Sequence, residues 1–129
     1  MRIEYFEPSD QDGPAILIYG NEPEAVETLI AAVRALSEGS QERVAVHQLP
    51  EFESIDGCEL FLIATMSDRG VRLIAPPLSF ECSIRPLWWE NVLGLLEPFR
   101  GSFTSHRHQY LDCGWSSDIQ LIISTNRGW

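Results

Sequence analysis

His106 and His108 stand two apart with Cys113 close behind, and two imidazoles with a thiolate are donors that suit zinc. On an extended strand, that spacing puts both rings on one face. No fourth ligand completes the set, because Cys58 and Cys82 fall in segments that read as core strands. The same spacing equally describes two histidines on a sheet face, with Arg107 and Gln109 on the opposite one. Cys113, His108 and Asp112 also have the residue types of a nucleophile, a base and an orienting acid. They are so local in sequence that the grouping reads as coincidence, and a reactive cysteine needs an electropositive, part-exposed setting. Glu51, Glu53 and Asp56 flank Phe52 and Ile55 in a stretch that reads as loop. General acid–base work needs carboxylates held rigidly and partly desolvated, so these read as a solvated acidic face. Tyr19-Gly20-Asn21 offers one glycine and no lysine, which is no phosphate cradle. The residues therefore point to no enzyme, no metal and no cofactor.

The elements that must position these residues are legible in outline. Arg2–Glu7 reads as an opening strand, followed by a turn-rich stretch, Pro8–Gly13, and a buried strand, Pro14–Tyr19. A helix follows, with Asn21 as its cap, Glu24 as capping-box partner and Pro23 in the first turn. Val26, Leu29, Ile30, Val33 and Leu36 form its apolar stripe, and Gly39 ends it. Glu22, Glu24 and Glu27 lie in or near its first turn, where the helix dipole favours negative charge. Arg43–Leu49 reads as a strand, Pro50–Gly57 as an acidic loop and Cys58–Thr65 as a central strand. Ser67-Asp68-Arg69-Gly70 is a turn signal that would fold Val71–Ala75 back as a hairpin. After Pro76-Pro77, Leu78, Phe80, Cys82 and Ile84 alternate with Ser79, Glu81 and Ser83 at the period of a half-buried strand. A second helix, roughly Pro86–Glu97, presents Trp88, Trp89, Val92, Leu93 and Leu96 on one face, and Pro98 closes it. Strands at about Ser105–Asp112 and Asp118–Thr125 end the chain. No repeat, low-complexity tract or linker interrupts it. The class is α+β: a single globular domain, 1–129, with a mostly antiparallel sheet of about six or seven strands and two helices packed on it. The first strand–helix–strand segment would add one parallel pairing.

The whole net charge of −10 lies in Met1–Glu59, which holds thirteen acids against three arginines, while Leu60–Trp129 is balanced at six of each. Such an asymmetry steers a basic partner and repels nucleic acid and anionic membrane. Arg100, His106, Arg107 and His108 form only a small basic cluster. The start shows no basic segment leading into an apolar one, and the longest apolar runs, such as Leu60–Ala64, are too short to cross a bilayer. Three widely spaced cysteines read as reduced thiols, and the chain as a cytoplasmic protein. Trp115, at a turn among acids, has the character of an interface anchor; Trp129, at the extreme C-terminus, has less of it.

Pro86-Leu87-Trp88-Trp89-Glu90-Asn91-Val92-Leu93-Gly94-Leu95-Leu96, then His108-Gln109-Tyr110-Leu111-Asp112, then Asp118-Ile119-Gln120-Leu121-Ile122-Ile123-Ser124-Thr125 make a pattern with a familiar order. It resembles the small immunity proteins of bacterial polymorphic-toxin and contact-dependent inhibition systems, which commonly pair a tryptophan-bearing helix with a late two-strand ending. The resemblance implies a cytoplasmic protein that binds one toxin domain and occludes its active site or substrate groove, with no chemistry of its own. An acidic face suits the basic cleft of a toxin that attacks nucleic acid. The residues expected to bind are Glu51, Glu53 and Asp56 of the acidic loop, Asp10 and Asp12, with Phe52 as apolar anchor and Trp115 at the interface. Two competing readings are a homo-oligomeric structural or regulatory module burying Trp115 and the last strand, and a metal protein or enzyme using His106, His108 and Cys113.

Overall fold

The computed structural model describes residues 1–101, 106–111 and 118–128. Its elements in chain order are β1 (Arg2–Phe6), β2 (Ala15–Tyr19), α1 (Pro23–Glu38), β3 (Arg43–Ala45), β4 (Glu53–Ser54), β5 (Glu59–Ala64), β6 (Gly70–Ala75), β7 (Ser79–Ile84), α2 (Pro86–Leu96), β8 (His108–Tyr110) and β9 (Gln120–Ser124). The nine described strands form two sheets, ordered β4-β1-β2-β9-β8 and β3-β5-β7-β6. The α+β class stands, with more strands than the six or seven expected.

Each sheet joins two antiparallel pairs through one parallel pairing: β2 with β9 in the first, β5 with β7 in the second. The two halves of the chain therefore follow the same course. An antiparallel pair (β1–β2 or β6–β7) leads into a helix, and the pair after that helix (β3–β5 or β8–β9) crosses to the other sheet. β4 adds a parallel edge to β1. The repeat is one of topology, with no sequence periodicity behind it.

The inner faces of both sheets and the apolar sides of both helices share one core. Ile16, Ile18, Leu121 and Ile123 come from the first sheet, Leu60, Leu62, Phe80 and Cys82 from the second, Leu29 and Val33 from α1, and Trp89 and Val92 from α2. Tyr5 and Phe80 stack across the two sheets with ring centroids 4.9 Å apart. Trp89 is 1% exposed and its indole N–H donates to the Ile63 carbonyl at 3.0 Å, so the one polar atom of this large side chain is satisfied. The outer face of the first sheet is apolar as well: Ala15, Leu17, Tyr19 and Ile122 form a second buried cluster.

Several local expectations need correction. Glu22, not Asn21, is the N-cap of α1, and no side chain caps that helix; Gly39 does end it, in the left-handed conformation at φ 79°. The strand expected over Arg43–Leu49 stops at Ala45 and gives way to a 3-10 turn, Val46–Gln48. The Pro50–Gly57 stretch is not all loop, since Glu53 and Ser54 pair with Arg2 and Ile3. β5 and β6 are no hairpin: β7 lies between them, and β6 pairs antiparallel with β7. β2 pairs in parallel with β9 and not with the strand after α1. Of the strand expected over Ser105–Asp112, His108–Tyr110 is extended in the sheet; Ser105 and Asp112 lie outside the described residues. Among the described residues, no helix is long and apolar enough to cross a membrane.

Candidate functional site

Tyr19, Gly20, Asn21 and Glu22, at the end of β2 and just ahead of α1, build one wall of an acidic cleft. Gly20 adopts φ 139°, a conformation that favours glycine, and a Cβ there would lie 3.0 Å from Glu22 Oε2 and 3.3 Å from Met1 Cγ. The chain can thus turn tightly beside Met1 into Glu22 and Pro23. With its side chain not used as a cap, Glu22 instead reaches the Met1 α-amino group at 2.5 Å.

The opposite wall comes from the segment between β3 and β5. Glu51 holds a left-handed backbone, φ 69°, which costs a non-glycine residue about 1 kcal/mol. That kink lets its carbonyl accept from the Met1 amino group, while its carboxylate accepts from Thr28 Oγ1 of α1 at 2.9 Å. Glu53 N–H donates to the Met1 carbonyl at 2.8 Å, and Ile55 N–H to the Ile3 carbonyl at 2.9 Å, which zips the segment onto β1. Asp56 has a second left-handed backbone, φ 54°, at the far end of β4. Phe52, between the two acids, is half-buried against the core.

Glu22, Glu51 and Glu53 therefore surround a cleft of about 550 Å³ with Phe52 in its lining. Glu24 and Glu51 line an adjoining cleft of about 330 Å³ at the start of α1. The counter-charge of Arg2 sits 3.7 Å from Glu53, a loose pairing between exposed groups. Sequence reasoning named Glu51, Phe52, Glu53 and Asp56 but assigned Glu22 and Glu24 to the helix dipole alone. The convergence of the two acid groups depends on packing between segments some 27 residues apart, Glu24 and Glu51, and no local signal reports it.

The other expected binding residues lie elsewhere. Asp10 and Asp12 are exposed in the β1–β2 turn, at the opposite end of that hairpin from the Arg2–Tyr19 pair that borders the acidic cleft. Asp12 instead lines a cleft of about 410 Å³ with His108, Tyr110 and Arg127. Trp115, Trp129, Cys113 and Asp112 lie outside the described residues. His106 and His108 share one face as expected, with ring centroids 5.5 Å apart. Among the described residues, no group of three or more His, Cys, Asp or Glu side chains converges to hold a metal.

Folding also redistributes charge. Arg127 donates from Nε and Nη2 to the two oxygens of Glu4, and Arg100 reaches Glu27 at 2.6 Å. Both arginines come from the neutral half and both acids from the acidic half. The Arg127 hydrogen bond lowers the Glu4 carboxyl below its usual value; burial opposes that shift, and a hydrogen bond from Tyr19 reinforces it. Tyr19 moves the other way, because burial and the neighbouring Glu4 charge both disfavour its phenolate. Glu24 and Glu51 take no cation among the salt bridges of the described residues, while Glu22 is met by the Met1 ammonium and Glu53 loosely by Arg2, so the cleft keeps a partial excess of negative charge.

Comparison with family models, with curated proteins and with solved structures finds no match for this chain.

Proposed function

We propose that this chain is a protein-binding inhibitor of the immunity-protein kind, which neutralises a cognate toxin domain by occluding its basic active site or substrate groove. The observation that carries the reading is the gathering of Glu22, Glu24, Glu51 and Glu53 from two separate segments around two adjoining clefts, the larger of which has Phe52 in its lining. An apolar side chain among carboxylates is the composition of an interface anchor with a polar rim. Electrostatic steering by such a rim raises the association rate with a basic partner and falls steeply with salt.

The mechanism is steric and electrostatic, with the partner's lysines or arginines paired to the cleft carboxylates and its groove closed to substrate. A basic domain captured with this chain is the reagent for the test. Adding the purified chain at equal concentration should abolish that domain's activity, with association slowing as salt rises. A domain that stays fully active while bound overturns the inhibitor reading.

A further inference from the structure

We infer that His106 and His108 form a two-imidazole clamp for a single zinc ion on the outer face of the first sheet, at the edge opposite the acidic cleft. With a Zn–N bond of about 2.0–2.1 Å and the ring centre about 1.15 Å beyond the nitrogen, two imidazoles at the tetrahedral angle have centroids about 5.2 Å apart. A right-angled, square-planar pair would bring them to about 4.5 Å. The rings stand at 5.5 Å, tilted by 52°, a separation close to the tetrahedral one, and rotation of the two side chains has to bring one nitrogen of each onto the shared ion. The backbone beneath them is fixed. Arg107 N–H donates to Thr125 Oγ1 at 2.9 Å, Thr125 N–H returns to the Arg107 carbonyl at 2.8 Å, and His108 pairs with Ser124. A ladder of this kind holds two alternate side chains on one face at a set spacing, so little ordering remains to be done when the ion binds.

The surroundings favour a cation. Both histidines are exposed, and the Asp12 carboxylate lines the same cleft as His108. Among the described residues, the one cation that lines that cleft, Arg127, has its charge taken up by Glu4 at 2.9 and 3.0 Å. Arg107 turns its guanidinium to the Pro98 carbonyl at 3.3 Å. Two protein ligands are one fewer than an open catalytic zinc site uses, so the remaining tetrahedral positions fall to water or to a donor from another molecule. The clamp is independent of the partner-binding reading.

The test is calorimetric titration of the full chain, free of any histidine tag, with Zn2+ alone. One ion per chain is expected. His106→Ala and His108→Ala should each weaken binding by about tenfold or more, since either converts a chelate into a single ligand. Cys113→Ser should leave it unchanged. No binding at millimolar Zn2+, binding that survives His108→Ala, or binding abolished by Cys113→Ser would each overturn the clamp.

Discussion

Arg127 lays its Nε and Nη2 on the carboxylate of Glu4 at 3.0 and 2.9 Å, which ties the exit of the last strand to the first strand across the outer face of the sheet. Tyr19 donates its hydroxyl to the same carboxylate at 2.9 Å, and the Arg127 guanidinium lies 5.0 Å from the Phe6 ring. Glu4 is the hub, being the mostly buried member, 13% exposed against 63% for Arg127. Replacing Glu4 with Gln should lower stability at pH 7 by about 1–2 kcal/mol, the scale of a lost charge-assisted hydrogen bond. The folded carboxyl titrates below its ordinary value near 4.5, so its contribution is present above that value and disappears as pH falls through the folded one. Urea unfolding of wild type and Glu4→Gln should show a gap at pH 7 that narrows at an acidic pH well below 4.5. An equal gap at both pH values contradicts the charge argument.

Asp68 ties the entry of α2 to the turn before β6. Its Oδ1 accepts the Arg85 backbone N–H at 2.9 Å, at the N-cap of the helix, and its Oδ2 accepts Arg85 Nε at 2.9 Å and Trp88 Nε1 at 2.8 Å. Burial pushes this carboxyl up, but the Arg85 and Trp88 hydrogen bonds outweigh that and leave it below the usual range. Asp68→Ala removes the acceptor of the Arg85 backbone N–H and leaves a half-buried indole N–H without its partner, at a cost of about 2 kcal/mol. Asp68→Asn retains one acceptor and should cost about half as much. Chemical unfolding followed by tryptophan fluorescence measures both, and equal losses would show that the amide keeps neither hydrogen bond.

These two anchors show what local pattern conveys and what it leaves out. The alternation of Phe80, Cys82 and Ile84 and the stripe from Val26 to Leu36 do mark buried faces, because burial of a strand or helix face is written at fixed spacing. Ser67–Gly70 reads as a reversal, yet a reversal does not say which strand lies alongside. Here Thr65 N–H donates to the Ile84 carbonyl and Arg69 N–H to that of Ser83, so both ends of the turn are held by β7. β4 is hidden for another reason: its two residues carry no alternation, and the bends around it fall at Glu51 and Asp56, whose side chains do not advertise positive φ. The acid cleft was half legible. Glu51, Phe52 and Glu53 are neighbours in sequence, whereas Glu22 and Glu24 join them only through packing of α1 beside that segment.

The thiols offer a test of the core. Cys58 and Cys82 are both fully buried, and burial, aided by the charges of Glu4 and Glu59, pushes Cys58 up to about 11. A thiol so protected has almost no thiolate at pH 8. Titration of the native protein with a disulfide reagent at that pH should modify at most one of its three cysteines, leaving Cys113 as the one eligible. All three should react in denaturant. Two or more fast-reacting thiols in the native protein would refute the packing of β5 or β7. Because the folded value lies above the ordinary 9.0, Cys58 also withdraws stability as pH rises between about 9 and 11.

Charge reversal at the cleft separates steering from folding. Glu51 and Glu53 are both exposed, so Glu51→Arg with Glu53→Arg should cost about 1 kcal/mol of stability, chiefly the hydrogen bond that Glu51 accepts from Thr28. The left-handed backbone at Glu51 is unaffected, because arginine tolerates it no worse than glutamate does. Association with a basic partner domain should slow by about tenfold at low ionic strength, and its dependence on salt should flatten. Phe52→Ala is the complementary change. It leaves every charge in place and removes the apolar lining between them, so it should raise the dissociation rate while the association rate stays near wild type. Stopped-flow association and dissociation across a salt series resolve the two effects. If the double reversal leaves the association rate unchanged from low to high salt, the cleft acids do not guide the encounter, and a basic partner must bind through another face.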